Sequence, residues 1–235
     1  MPLVKKIIIC FLLLSNAVNA EQINNFLDAK KIIISLFSEY SETLYCGCGF
    51  DKRGQLLKQS CSVNATKYLE RSNKVEMEHM FAMAHAKHHF PCWRNGGRKN
   101  CQKTDPNFNK FEAELYNLWP VVGSINARRS DYRYGEFSLN EKKQIGWFDS
   151  CPIYIDPMSR KVEPRNEVKG IVARANLFIS DRYKISLSKQ QRQLFVSWHN
   201  KFPPNDIELH WASNIAKIQG YENHYIVNYK KIDLP

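Results

Sequence analysis

Acidic residues are in short supply in this chain: 23 Asp and Glu stand against 34 Lys and Arg, a formal net charge of +11 with histidine neutral. That balance favours polyanionic partners, namely nucleic acid, acidic glycans or anionic membranes, without choosing among them. Long apolar runs are as scarce. The one candidate is Ile7 to Val18, preceded by Lys5-Lys6 and followed by Asn19-Ala20, the layout of a secretory leader with a basic start, an apolar stretch and a small-residue cleavage site. Being well short of the roughly 20 residues that cross a bilayer, it reads as a signal peptide over residues 1–20 and not as an anchor. The expected location is therefore periplasmic or secreted, with no membrane contact after cleavage. No other segment is long and apolar enough to span, and neither an internal repeat nor a low-complexity linker interrupts the chain, so residues 21–235 read as one domain.

Paired C-x2-C spacing, the mark of structural zinc sites, is also missing. Cys10 leaves with the leader, and Cys46, Cys48, Cys61, Cys92, Cys101 and Cys151 remain, an even set that an oxidising compartment turns into disulfides. Cys92 and Cys101 bracket a short segment carrying Arg98, which favours a local bridge. Pairing of the other four stays open, with zinc on Cys46, Cys48 and Cys61 as the competing reading. The glutamate of an H-E-x-x-H zinc-protease pair is absent as well: Ala86 follows His85, and polar surface is the expectation for His85, His88 and His89.

Apolar spacing predicts helices over 25–40, 167–179, 188–200 and 206–219, the last with Asn205 as N-cap, Glu208 in the capping-box position and Gly220 as terminator. Residues 62–79 suggest one or two strands. Glycines, Pro106 and asparagines make 91–108 a long irregular loop. The stripe Phe111, Leu115, Leu118 places Glu112 near the start of a helix that Trp119-Pro120 ends, with Asn126 just beyond. Residues 128–150 read as loops with short strands. Within that stretch Arg128, Arg129, Tyr132, Arg133, Tyr134, Lys142, Lys143 and Trp147 interleave charge and rings in the manner of a surface that tracks a phosphate backbone, and no element resembles a major-groove reading helix, so low sequence specificity is expected.

Glu78-His79, the basic glycine turn Gly96-Gly97-Arg98-Lys99, Glu112 and Asn126 together hold the parts needed to hydrolyse a phosphodiester: a hard-metal ligand, a base, a phosphate clamp and a second oxygen ligand. Neutral imidazole takes a proton near pH 7, and at an ordinary pKa of about 6.5 its activity would fall below that pH. Mg²⁺ needs only one or two protein oxygens because phosphate completes its shell. Singly, each residue has a plainer reading: a solvated turn for Arg98, a helix N-terminal charge for Glu112, a cap for Asn126. In an extended strand, Glu78 and His79 need a bend or a strand end to face one phosphate.

The set Val75-Glu76-Met77-Glu78-His79, Cys92-Trp93, Gly96 to Cys101, Glu112 to Pro120, Asn126 and Gly170-x-x-Ala173-Arg174-Ala175 resembles the bacterial endonuclease I family, over roughly residues 43–180. The resemblance implies an α+β, mostly helical, disulfide-bonded domain around a ββα-metal (His-Me finger) core. It implies a Mg²⁺-dependent, sequence-nonspecific endonuclease, with Mn²⁺ or Ca²⁺ as substitutes, acting as a monomer on DNA and RNA and leaving 5′-phosphates. His79 is then the general base, Glu78 and Asn126 hold the metal, Arg98 contacts the phosphate or leaving group, and Glu112 supports them. Lys99, Arg128, Arg129 and Arg133 are the candidate nucleic-acid contacts, and Arg174 is open between an ion pair and a DNA contact. The chain departs from the family at Met77, where a Trp is usual, and through Met80–His89. The rival expectation is a basic extracellular protein that binds nucleic acid or anionic glycan without cutting it.

Overall fold

A computed structural model describes residues 23–37, 40–57, 59–61 and 63–234; the leader over 1–20 lies outside the described residues. The described elements are α1 (Phe26–Leu36), β1 (Val75–His79), α2 (Gly97–Thr104), α3 (Pro106–Glu112), β2 (Leu118–Val122), α4 (Gly123–Arg129), β3 (Arg133–Tyr134), α5 (Leu139–Ile145), β4 (Ile153–Asp156), β5 (Lys161–Pro164), α6 (Asn166–Tyr183), α7 (Lys189–Lys201), α8 (Asp206–Gln219) and α9 (His224–Val227). The fold is mixed helix and strand around one continuous apolar core, in which Phe108, Phe111, Tyr116, Phe178, Phe195 and Trp198 are buried. β1 pairs antiparallel with β2, His79 opposite Leu118 and Met77 opposite Pro120, and α4 follows β2 directly. A second sheet runs in the order β3-β5-β4.

Local chemistry accounts for the elements that place the site. The segment 91–108 is not the irregular loop its composition predicts: a 3-10 turn over Pro91–Asn95 leads into α2 and α3. The Asp105 carboxylate accepts from the backbone N–H groups of Asn107 and Phe108, and Pro106 sits in the first turn, where it loses no helical hydrogen bond. Glu112 ends α3 instead of starting a helix. The residues after it form a 3-10 turn and then β2, with Trp119-Pro120 inside the strand, because its buried pairing with β1 outweighs the helical stripe. Residues 128–150 include α5, which Ser138 and Glu141 close with a reciprocal capping box.

The disulfides pair Cys92 with Cys101, Cys46 with Cys151 and Cys48 with Cys61, so the C-x-C cysteines are spent on bridges and not on zinc. His85 and His89 share no helical face, since the 3-10 turn holding His85 stops at Ala86. Arg174 is settled as structural: buried on α6, it pairs with Glu208 of α8 through Nε at 2.7 Å and Nη2 at 2.5 Å. Glu208 thereby takes a partner other than the capping-box one, while Asn205 still caps α8. Gly170 allows this crowding, for a Cβ there would lie 2.2 Å from the Phe202 carbonyl oxygen.

Candidate active site

Glu78 and His79 occupy the end of β1, Arg98 the start of α2 and Asn126 the middle of α4. All four line one cleft of ≈ 500 Å³, with Arg71, Trp93 and Arg129 also in its walls. The strand end is what lets adjacent residues of β1 serve one space.

His79 is buried, and its Nε2 lies 2.9 Å from the backbone carbonyl oxygen of Glu112. That carbonyl belongs to the last turn of α3, where helical carbonyls lack an intrahelical donor. A carbonyl can only accept, so Nε2 carries the proton and Nδ1 keeps its lone pair. The Phe26 ring of α1 lies against the imidazole at 4.8 Å between centroids, and the Arg98 guanidinium lies 5.2 Å from the same ring. Burial first, and the Arg98 charge second, push the His79 pKa down to about 3, against the Glu112 carbonyl bond that favours the cation. This corrects the expectation of an ordinary value near 6.5: the neutral form persists far into the acid range.

The Glu112 side chain holds Arg98. Its buried carboxylate accepts from Arg98 Nε and from Gln102 Nε2, the latter at 3.0 Å to each oxygen. Glu112 is absent from the cleft lining, so it acts through Arg98. One residue thus orients the imidazole with its main chain and the guanidinium with its side chain.

Below the cleft Glu78 sits in a buried network. Tyr45 donates to its Oε1 at 2.7 Å, Arg129 Nε stands 3.1 Å from the same oxygen, and Tyr45 and Tyr134 hydroxyls are 2.6 Å apart. Burial raises the Glu78 pKa, opposed by the Arg129 charge and the Tyr45 hydrogen bond. Tyr45 and Arg129 both address Oε1, and the Tyr134 hydroxyl is a further hydrogen-bond partner of the carboxylate. Asn126 gives its Nδ2 to Glu76 at 2.9 Å, and Glu76 is itself gripped by Arg71 at 2.7 and 2.5 Å. Burial raises the Glu76 pKa, but the Arg71 and Asn126 bonds outweigh it and leave the carboxyl below its usual range. Because a carboxylate fixes the amide nitrogen, the amide oxygen of Asn126 is left as an acceptor or cation ligand.

The expected nucleic-acid contacts separate. Arg129 is buried under the cleft, where its Nη atoms also donate to the His79 and Met80 carbonyls; it supports Glu78 instead of tracking a backbone. Arg128 lies 5.4 Å from the Phe148 ring, and Lys99 is exposed, both outside the cleft lining. Arg133 is exposed in a neighbouring groove. Phe26, Tyr45, Arg71 and Gln102 escaped the sequence reading as site residues. Glu76 was named there only within its motif and Tyr134 only as part of the basic-aromatic stretch, not as partners of Asn126 and Glu78.

A neutral buried imidazole, a fixed guanidinium, a buried carboxylate and an amide oxygen in a basic cleft are the equipment of a phosphodiester hydrolase. The sequence model of the endonuclease I family matches residues 16–230, and the chain belongs to that family of endonucleases. It is 33% identical over 219 residues to an extracellular deoxyribonuclease of Aeromonas hydrophila, covering 92% of this chain and 93% of that one. A periplasmic deoxyribonuclease of the same organism is 32% identical over 92% and 90% of the two chains. Endonuclease-1 of Buchnera aphidicola subsp. Baizongia pistaciae (strain Bp) is 36% identical over 86% and 82%.

Proposed function

We propose that this protein is a secreted or periplasmic, Mg²⁺-dependent, sequence-nonspecific endonuclease that cleaves DNA, and RNA as well, and leaves 5′-phosphates. The observation that carries the reading is the hydrogen bond from His79 Nε2 to the Glu112 carbonyl, which fixes the tautomer and leaves Nδ1 to take a proton from the attacking water. Arg98, held by Glu112, meets the phosphate with its remaining N–H groups and offsets charge that grows during attack. β1, β2 and α4 form the ββα-metal core of this proposal.

The donor set suits a hard cation. Among the described residues no three His, Cys, Asp or Glu side chains cluster to hold a metal by themselves, but Glu78 and the Asn126 amide oxygen match the one or two protein oxygens that Mg²⁺ requires. A bound Mg²⁺, with Mn²⁺ or Ca²⁺ as substitutes, supplies charge neutralisation at the phosphoryl and leaving oxygens. The buried Arg129, Tyr45 and Tyr134 group fixes the Glu78 carboxylate, and Glu76 fixes the Asn126 amide. The compartment agrees with the extracellular and periplasmic relatives.

Plasmid nicking by the purified mature protein, with and without EDTA, tests the whole reading. EDTA should stop cleavage, and His79→Ala should abolish it while DNA affinity stays within about threefold, since affinity comes mainly from phosphate contacts. Efficient cleavage by His79→Ala would remove the base, and DNA binding by the wild type without any cleavage would leave a binding protein.

A further inference from the structure

Beside the cleft lies a second groove, of ≈ 580 Å³, that the chemistry above does not use. The two cavities share Ala84 and Asp131 in their walls and so adjoin. Lys87 and Arg133 line the groove, both are exposed, and among the described residues neither makes an ion pair. Asp131 lines the same groove but pairs with neither of them, so their charge is left uncompensated, a cost that a bound polyanion removes. Arg160, by contrast, is tied to Asp131 at the junction of the cavities.

Asn176 and Gln191 supply the groove's polar face. Asn176, nearly fully buried, donates Nδ2 to the Val172 carbonyl at 2.8 Å, and Gln191 donates Nε2 to the Tyr134 carbonyl at 2.8 Å. Carbonyl partners require the nitrogen of each amide, so both amide oxygens are left as acceptors. The groove therefore combines exposed cations, which suit phosphate, with fixed acceptors, which suit the N–H edge of a nucleobase. Its volume falls within the range of about 300–1,000 Å³ that encloses a small ligand.

We propose that this groove is a strand-holding subsite that takes a nucleotide of the substrate strand several nucleotides away from the scissile phosphate. The backbone phosphate meets Lys87 and Arg133, and the base turns its N–H edge toward Asn176 and Gln191. The proposal rests on the reading of the cleft as a nuclease site. Every nucleobase offers an N–H donor, so the subsite holds a strand without selecting its sequence.

The test is the affinity of Lys87→Ala/Arg133→Ala for phosphorothioate-linked oligothymidylates, which keep the charge and resist cleavage. Strands of about three and about twelve nucleotides, the latter within the site sizes usual for single-strand binding, are titrated by fluorescence anisotropy in EDTA across a salt series. For the long strand Kd should rise at least about fivefold, and the slope of log Kd against log salt should fall by about 0.7 for each phosphate that the variant no longer neutralises. The short strand should shift less than about twofold, because it does not reach from cleft to groove. A smaller loss for the long strand, or an equal loss for both lengths, overturns the subsite. Circular dichroism confirms that the variant is folded. The two readings fail separately: a wild type that cuts plasmid while the variant binds normally defeats the groove alone, whereas a wild type that binds strands and never cuts defeats the nuclease.

Discussion

Glu112 works in two directions, its carbonyl on His79 and its carboxylate on Arg98 and Gln102. Glu112→Ala keeps the carbonyl and releases Arg98, and a displacement of about 1 Å at a reacting group costs on the order of 10²-fold in rate. We expect kcat to fall by about that factor, with Glu112→Gln intermediate because its amide oxygen still accepts from Arg98. Equal rates for wild type and Glu112→Ala would show that the guanidinium is placed by something else. At His79 the sign follows from the depressed pKa of about 3: the imidazole is neutral throughout the range above that value, so acidification from about pH 7 to about pH 5 does not charge it. The pH profile of kcat should accordingly lack a one-proton inflection near pH 6.5, and finding one that disappears in Phe26→Ala or Glu112→Ala would contradict the buried neutral imidazole.

At the scale of elements, the Cys92–Cys101 bridge joins the 3-10 turn before α2 to the buried residue one turn beyond Arg98, so it holds the helix that presents the guanidinium. Closing a loop of about ten residues contributes roughly 2–3 kcal/mol through the unfolded state. Cys92→Ser/Cys101→Ser should lower Tm by several degrees and reduce kcat further than the stability loss explains at a temperature where the variant is folded. Full activity in the folded double variant would assign the bridge to stability alone. α3 has a comparable anchor at its other end, where Asp105 caps the helix that delivers Glu112.

Over the whole molecule, buried histidines couple folding to pH. His79 and His199 are both buried, and burial lowers both pKa values below 6.5. His199 fixes the C-terminal tail through a 2.9 Å contact with the Lys230 carbonyl. The unfolded chain takes up these protons below about pH 6.5 while the folded chain resists them. Their contribution is thus complete above that pH and lost as pH falls toward the folded values, at up to about 1.4 kcal/mol per pH unit for each group. Tm should decline from about pH 7 to pH 5, and the gap between wild type and His199→Gln should narrow as pH falls; a gap constant with pH would rule out the histidine term.

The sequence by itself determined what depends on short-range order. Helices over 167–179, 188–200 and 206–219 appear within a few residues of their predicted bounds, since periodic apolar faces and caps such as Asn205 are read locally, and Cys92–Cys101 follows from proximity in the chain. Family membership was legible in the order of its motifs. Only the tertiary structure decided that Leu118–Val122 is a strand and not a helix end, because its partner β1 lies far back in the chain. It alone placed Arg129 beneath Glu78, Arg174 against Glu208 and the Glu112 carbonyl on His79. The charge state of the imidazole was decided there too, since a pKa depends on burial and on charges brought in from α2 and α3, and no run of residues around His79 encodes its distance from water.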